Sequence, residues 1–223
     1  MKKVLFVLFF ALLSQSVNSA SISFNYSPCS VYFGDNSTNE NIIRLEDGDK
    51  SWGFTDKMGN CYFSKISLAV TSEPERLNIP NTDNRYASDG LFFDVMHKEL
   101  LLRAVDLKYL ESGGRMHAVT YVLGYMYQWF FTQTKEGFNF GIGLGLAKTY
   151  LYQGNFTKKS TDSDNPSPVF RASVGYKILI GDSKFLDIGI DMNSPAVTYH
   201  RINNGDYKRF MHGGIYPYIG ISF

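Results

Sequence analysis

Six charged side chains stand at alternating positions inside otherwise apolar or small-residue stretches: Asp106, Lys108, Arg171, Lys177, Asp187 and Asp191. Alternate residues of a strand share one face, so charges of both signs on one parity can pair with each other or line a polar path. Cys29 and Cys61 are the only cysteines. In an oxidising compartment they are expected to form a disulfide, and without nearby histidines they make a poor metal set. His200 stands at the outer end of the penultimate expected strand, in Tyr199-His200-Arg201-Ile202-Asn203-Asn204. The glycines from Gly141 to Gly145 match a nucleotide loop only by count. Their spacing belongs inside a strand, whereas a phosphate loop must open a helix. No cofactor and no metal is expected.

These residues are placed by a chain that begins with an export signal. Lys2 and Lys3 precede an unbroken apolar run from Val4 to Leu13, and Val17 with Ser19, or Ala20, completes a small-residue cleavage pattern. That run is too short to cross a bilayer as a helix, which needs about 20 residues. Residues 1–20 therefore read as a signal peptide, 21–60 as an N-terminal segment tethered by the Cys29–Cys61 disulfide, and 61–223 as the main domain. Of the 22 Lys and Arg residues, 20 remain without Lys2 and Lys3, against 21 Asp and Glu. That balance removes the electrostatic case for nucleic acid. A mean hydropathy of -0.17 fits poorly with several membrane helices, and 15 Tyr with 18 Phe exclude a typical disordered chain.

Alternation reconciles a polar average with so many aromatics. From Val119 to Phe131 one parity reads Val119, Tyr121, Leu123, Tyr125, Tyr127, Trp129, Phe131, while the other is mostly small or polar. Phe138, Phe140, Ile142, Leu144 and Leu146 repeat the apolar face against Asn139, Gly141, Gly143, Gly145 and Ala147. Ala172 to Ile180 and Leu186 to Met192 do the same, with Arg171, Lys177, Asp187 and Asp191 on the opposite parity. Gly, Ser, Thr and mixed charges suit a narrow lumen, and Tyr and Trp near strand ends suit a membrane interface. The fold class is all-β, a closed antiparallel transmembrane β-barrel of about eight strands.

The alternation predicts strands at about 61–72, 85–97, 100–110, 116–133, 138–152, 169–180, 185–199 and 209–223. Ten strands are the alternative, adding 22–33 and 42–56. The segment 91–110 also has helical features; two strands around a turn at Lys98-Glu99 keep Asp106 and Lys108 inward and avoid placing Glu99 and Arg103 on the apolar face. Short turns at 134–137 and 181–184 are then periplasmic, and loops 73–84, 153–168 and 200–208 extracellular. The inward charges read as a paired network. Eight strands leave a lumen that side chains can fill, which weighs against a conduction path.

Ile215, Ile219, Ile221 and Phe223 end the chain on one parity. A signal peptide, alternating strands and a terminal aromatic together resemble the small bacterial outer-membrane β-barrels. The resemblance implies residence in the outer membrane, contact with its lipid, and recognition of Phe223 by the barrel-assembly machinery. His200 sits where lipid A deacylases carry His-x-Ser-Asn, but Ile202 replaces the nucleophilic Ser, so no catalytic residue is assigned. The expected role is structural or surface-interacting, through loops whose composition names no ligand. A lipid-modifying or solute-transporting barrel and a secreted soluble β-domain are the alternatives.

Overall fold

A computed structural model describes residues 20–33, 52–54, 63–77, 85–101, 115–153, 158–159, 166–201 and 207–223. They form twelve strands: β1 Ala20–Ser27, β2 Val31–Phe33, β3 Trp52–Phe54, β4 Lys65–Ser72, β5 Glu75–Arg76, β6 Tyr86–Leu101, β7 Arg115–Phe130, β8 Gly137–Gln153, β9 Lys158–Lys159, β10 Ser167–Leu179, β11 Phe185–Arg201 and β12 Tyr207–Ser222. Eight of these, in the order β1-β4-β6-β7-β8-β10-β11-β12, pair antiparallel, and β12 returns to pair with β1. The sheet is closed, so no edge strand of the ring is left unpaired.

At the seam Phe223 N donates to Ile22 O at 2.9 Å and Ile22 N donates to Phe223 O at 3.2 Å. The Ser21 hydroxyl adds a bond to Phe223 O at 2.9 Å. β2 continues the line of β1 along β12. The partners step from Tyr26↔Ile219 to Val31↔Ile215, so one extra residue is absorbed by a bulge around Pro28. A second bulge between Asn193 and Ala196 of β11 holds Pro195, which would break a regular ladder because it has no N–H to donate.

One end of the ring carries the tight connections, and is called here the turn end. Between β7 and β8 the chain reverses with Lys135 at φ 65° and Gly137 at φ 92°. The Thr132 hydroxyl closes this turn on Glu136 O at 2.6 Å. Between β10 and β11, Ile180 N donates to Lys184 O at 2.9 Å. Phe223 lies at the same end.

Three expectations from the sequence need correction. First, 91–110 does not turn at Lys98-Glu99. β6 runs through to Leu101, with Lys98 opposite Ala118 and Glu99 opposite His117. The ladder with β7 continues unbroken through these residues as far as Leu101 opposite Arg115. Second, the remaining strand of the eight is β1, so the ring includes residues set apart above as an N-terminal segment; β2 pairs with β12 beyond β1, β3 pairs with β2, and the ring has the eight strands expected. Third, the connection 73–84 lies at the turn end, not with the long loops. Its described part leaves β4 and pairs as β5 with the start of β6, and Glu73 Oε2 is 2.9 Å from the Lys135 ammonium in the β7–β8 turn.

Candidate functional site: the filled lumen

The inward parity of the ring carries three layers of polar groups. At the turn end, Lys177 Nζ lies 2.8 Å from Asp187 Oδ2 and donates to the Ser222 hydroxyl at 2.8 Å. Ser222 in turn donates to Asp187 Oδ1 at 3.2 Å. Lys177 and Asp187 are Cα partners across β10 and β11, so the ladder itself sets them face to face.

The second layer reaches across the barrel. Lys65 from β4 contacts Asp94 Oδ2 at 2.9 Å and Asp191 Oδ2 at 3.1 Å, and donates to Asn193 Oδ1 at 2.7 Å. Arg171 from β10 bridges the same two carboxylates, Nη1 to Asp94 at 3.2 Å and Nη2 to Asp191 at 2.7 Å. Asn193 Nδ2 closes the circuit on Asp94 at 3.1 Å. Two cations thus meet two carboxylates, and all four are buried. A buried charge is tolerated only when paired and hydrogen-bonded, and here each one has a partner of opposite sign. Aromatic faces cover the cations, with Lys65 Nζ 5.3 Å from the Tyr216 ring and the Arg171 guanidinium 4.8 Å from Phe92.

Nearer the opposite, loop end, the Thr120 hydroxyl lies 2.7 Å from both the Thr149 hydroxyl and His212 Nδ1. Apolar side chains fill the space between layers, among them Phe92, Met96, Val122, Met126 and Ala147.

Inward glycines make room for these large groups. A Cβ at Gly143 would come 2.9 Å from the Phe92 ring, and one at Gly175 would collide with the Tyr218 hydroxyl. The Gly-rich parity of β8 is therefore a packing surface for side chains of nearby strands, Phe92 of β6, Met126 of β7 and Ser173 of β10.

Arg171, Lys177, Asp187 and Asp191 thus lie inside the ring, and the structure brings Arg171 and Asp191 into one network and Lys177 and Asp187 into another. Asp106 and Lys108 lie outside the described residues, as do residues 1–19 of the expected signal peptide, Cys61 and Ile202. Cys29 falls between β1 and β2, and its expected pairing cannot be placed because Cys61 is not described. His200 is placed by register opposite Lys208 near the end of β11. Lys65 and Asp94 complete the central network and were missed in the sequence; their signal was parity, each lying one residue from an apolar outward position. Among the described residues no group of three or more His, Cys, Asp or Glu side chains could hold a metal ion.

The outward parity is the opposite surface. Leu144 is 69% exposed and Phe138 59%, with Phe24, Leu91, Phe93, Leu123, Val174, Ile188 and Ile219 continuing the belt around the ring. At the turn end Tyr127 packs edge-on against Trp129 at 4.8 Å, and Phe138 against Tyr176 at 4.9 Å. At the loop end Tyr121 packs edge-on against Tyr150 at 5.9 Å, and His97 Nε2 lies 3.0 Å from His117 Nδ1. From Phe138 to Lys148 the ten residue-to-residue steps of β8 span about 33 Å along the strand. At the usual tilt that becomes about 25 Å along the axis, the height of an outer-membrane apolar band between its aromatic girdles.

No family model matches the chain, and no curated protein matches it. Among solved structures it is similar to the NMR solution structure of the E. coli outer membrane protein W, at 12% identity with a TM-score of 0.39 over 91% of this chain and 97% of that one. The ring closure, the paired lumen and the apolar belt give this chain the architecture of a small outer-membrane β-barrel.

Proposed function

We propose that the protein is an integral barrel of the bacterial outer membrane with a structural or surface-interaction role, carried by the segments that join β8 to β10 and β11 to β12. The observation behind this reading is the division of the wall: a continuous apolar belt outside and neutral, paired charge layers inside. A soluble protein rarely exposes so large an apolar surface. A lumen crossed by Lys65, Asp94, Arg171 and Asp191 in mutual contact offers ions no continuous path. The partners implied are outer-membrane lipid and the barrel-assembly machinery, the latter through Phe223.

The test combines fractionation with electrical recording. Full-length protein should need detergent for release, migrate as a compact species on unboiled gels, and show no conductance in a planar bilayer. A tag placed in the segment between β8 and β10 should be reached by antibody on intact cells. Release by osmotic shock alone would overturn the membrane reading, and steady conductance would overturn the structural one.

A further inference from the structure

The outward face shared by β7 and β8 changes character at one rung. From the turn end upward its positions are Phe131 and Phe138, Trp129 and Phe140, Tyr127 and Ile142, Tyr125 and Leu144, Leu123 and Leu146, with no charge among them. The next rung pairs Tyr121 with Lys148. Lys148 is half-buried, its Nζ lying 5.7 Å from the centre of the Tyr150 ring, which Tyr121 meets edge-on. Lys65, Arg171 and Lys177 in the lumen each touch a carboxylate at 3.2 Å or less; Lys148 has no carboxylate partner among the described residues.

We infer that this rung is a binding site for the phosphate of an anionic membrane lipid, with Lys148 as the charge and Tyr121 and Tyr150 as its flanks. The inference rests on the membrane reading above. The Lys148 ammonium lies over Tyr150, about 25 Å above Phe138, at the height where a lysine head reaches the interface and a lipid headgroup would begin. The occupant is a lipid rather than free phosphate because the apolar surface runs unbroken from Lys148 down over Leu146, Leu123 and Leu144, ready for acyl chains. An ammonium held at the edge of a low-dielectric layer forms a strong charge-assisted hydrogen bond with a phosphate oxygen.

The test uses full-length protein in phosphatidylcholine nanodiscs doped with a diphosphorylated acylated glucosamine lipid or its dephosphorylated counterpart, with retained lipid counted by native mass spectrometry. Wild type should retain the phosphorylated lipid about fivefold more. Lys148→Met should abolish that preference, Lys148→Arg should keep it, and Lys184→Met, at the turn end, should leave it unchanged. Equal retention of both lipids by wild type, an undiminished preference in Lys148→Met, or complete displacement by inorganic phosphate would overturn the inference. If Lys148→Met does not fold, Lys148→Gln takes its place, and the wild-type comparison stands without either. Failure of the wild type to enter nanodiscs would instead count against the membrane reading.

Discussion

Lys65 and Asp94 lie on neighbouring strands two rungs out of register, since Lys65 faces Met96 and Asp94 faces Ser67; their side chains close that offset inside the barrel, Nζ to Oδ2, at 2.9 Å. Removing one member leaves the other charge buried without its full complement. Asp94→Asn should therefore destabilise the folded barrel by about 3–5 kcal/mol, as loss of one partner of a buried pair does. Lys65→Met with Asp94→Leu leaves Arg171 and Asp191 as a neutral pair. The double variant should be less damaged than Asp94→Asn alone, a non-additivity expected of contacting residues. Urea unfolding in lipid vesicles measures both, and additive losses would mean the central charges do not act as one network.

The turn-end layer should respond more unevenly. Asp187→Ala strands the Lys177 ammonium and should cost about 3 kcal/mol or more. Ser222→Ala removes hydrogen bonds that Lys177 and Asp187 partly replace with each other, and should cost about 1 kcal/mol. The temperature at which the compact gel species is lost ranks the two; equal shifts would show that Ser222 matters as much as the ion pair.

The glycines facing Tyr218 separate two kinds of crowding. A Cβ at Gly175 meets the Tyr218 hydroxyl first, whereas one at Gly189 also meets the Val174 carbonyl of the backbone. Gly175→Ala and Gly189→Ala should each cost about 1–3 kcal/mol through overpacking. Tyr218→Phe should relieve the first and leave the second largely in place. A double-mutant cycle by vesicle unfolding tests this, and equal relief at both sites would refute it.

Leu144 stands mid-height on the belt. Leu144→Arg should destabilise the protein in bilayers by about 2–4 kcal/mol, the cost of arginine at a barrel's midplane. In a secreted soluble domain the same exposed substitution would be nearly neutral. Unfolding in vesicles distinguishes them.

The sequence made β7, β8, β10, β11 and β12 legible because both faces keep a clean alternation there, and the β7–β8 turn falls where Gly137 takes a positive φ. The loop end of β6 was not legible. Lys98, Glu99, Leu100 and Leu101 break the pattern, and only pairing with β7 holds them in one strand. β1 carries Ile22, Phe24 and Tyr26 on one parity, yet eight residues with Ser and Asn between them give a weak signal until β12 is there to receive them. Parity placed Arg171, Lys177, Asp187 and Asp191 inward, and register makes Lys177 and Asp187 partners. The contact of Lys65 with Asp191 joins residues 126 positions apart across the lumen, and no local spacing encodes it.

Ser21 and Phe223, bonded across the seam, are 202 positions apart. The pairing that completes the ring is therefore the longest loop the chain has to close, and its entropy cost falls due before the last strand contacts are gained. Until then β1 and β12 each present an open row of backbone donors and acceptors that hydrocarbon cannot satisfy. Partly zipped intermediates are consequently penalised in the bilayer, and the wall should form and dissolve as one cooperative unit rather than strand by strand. Weakening Ser21 or Ile22 would then act mainly on the rate at which the whole ring opens.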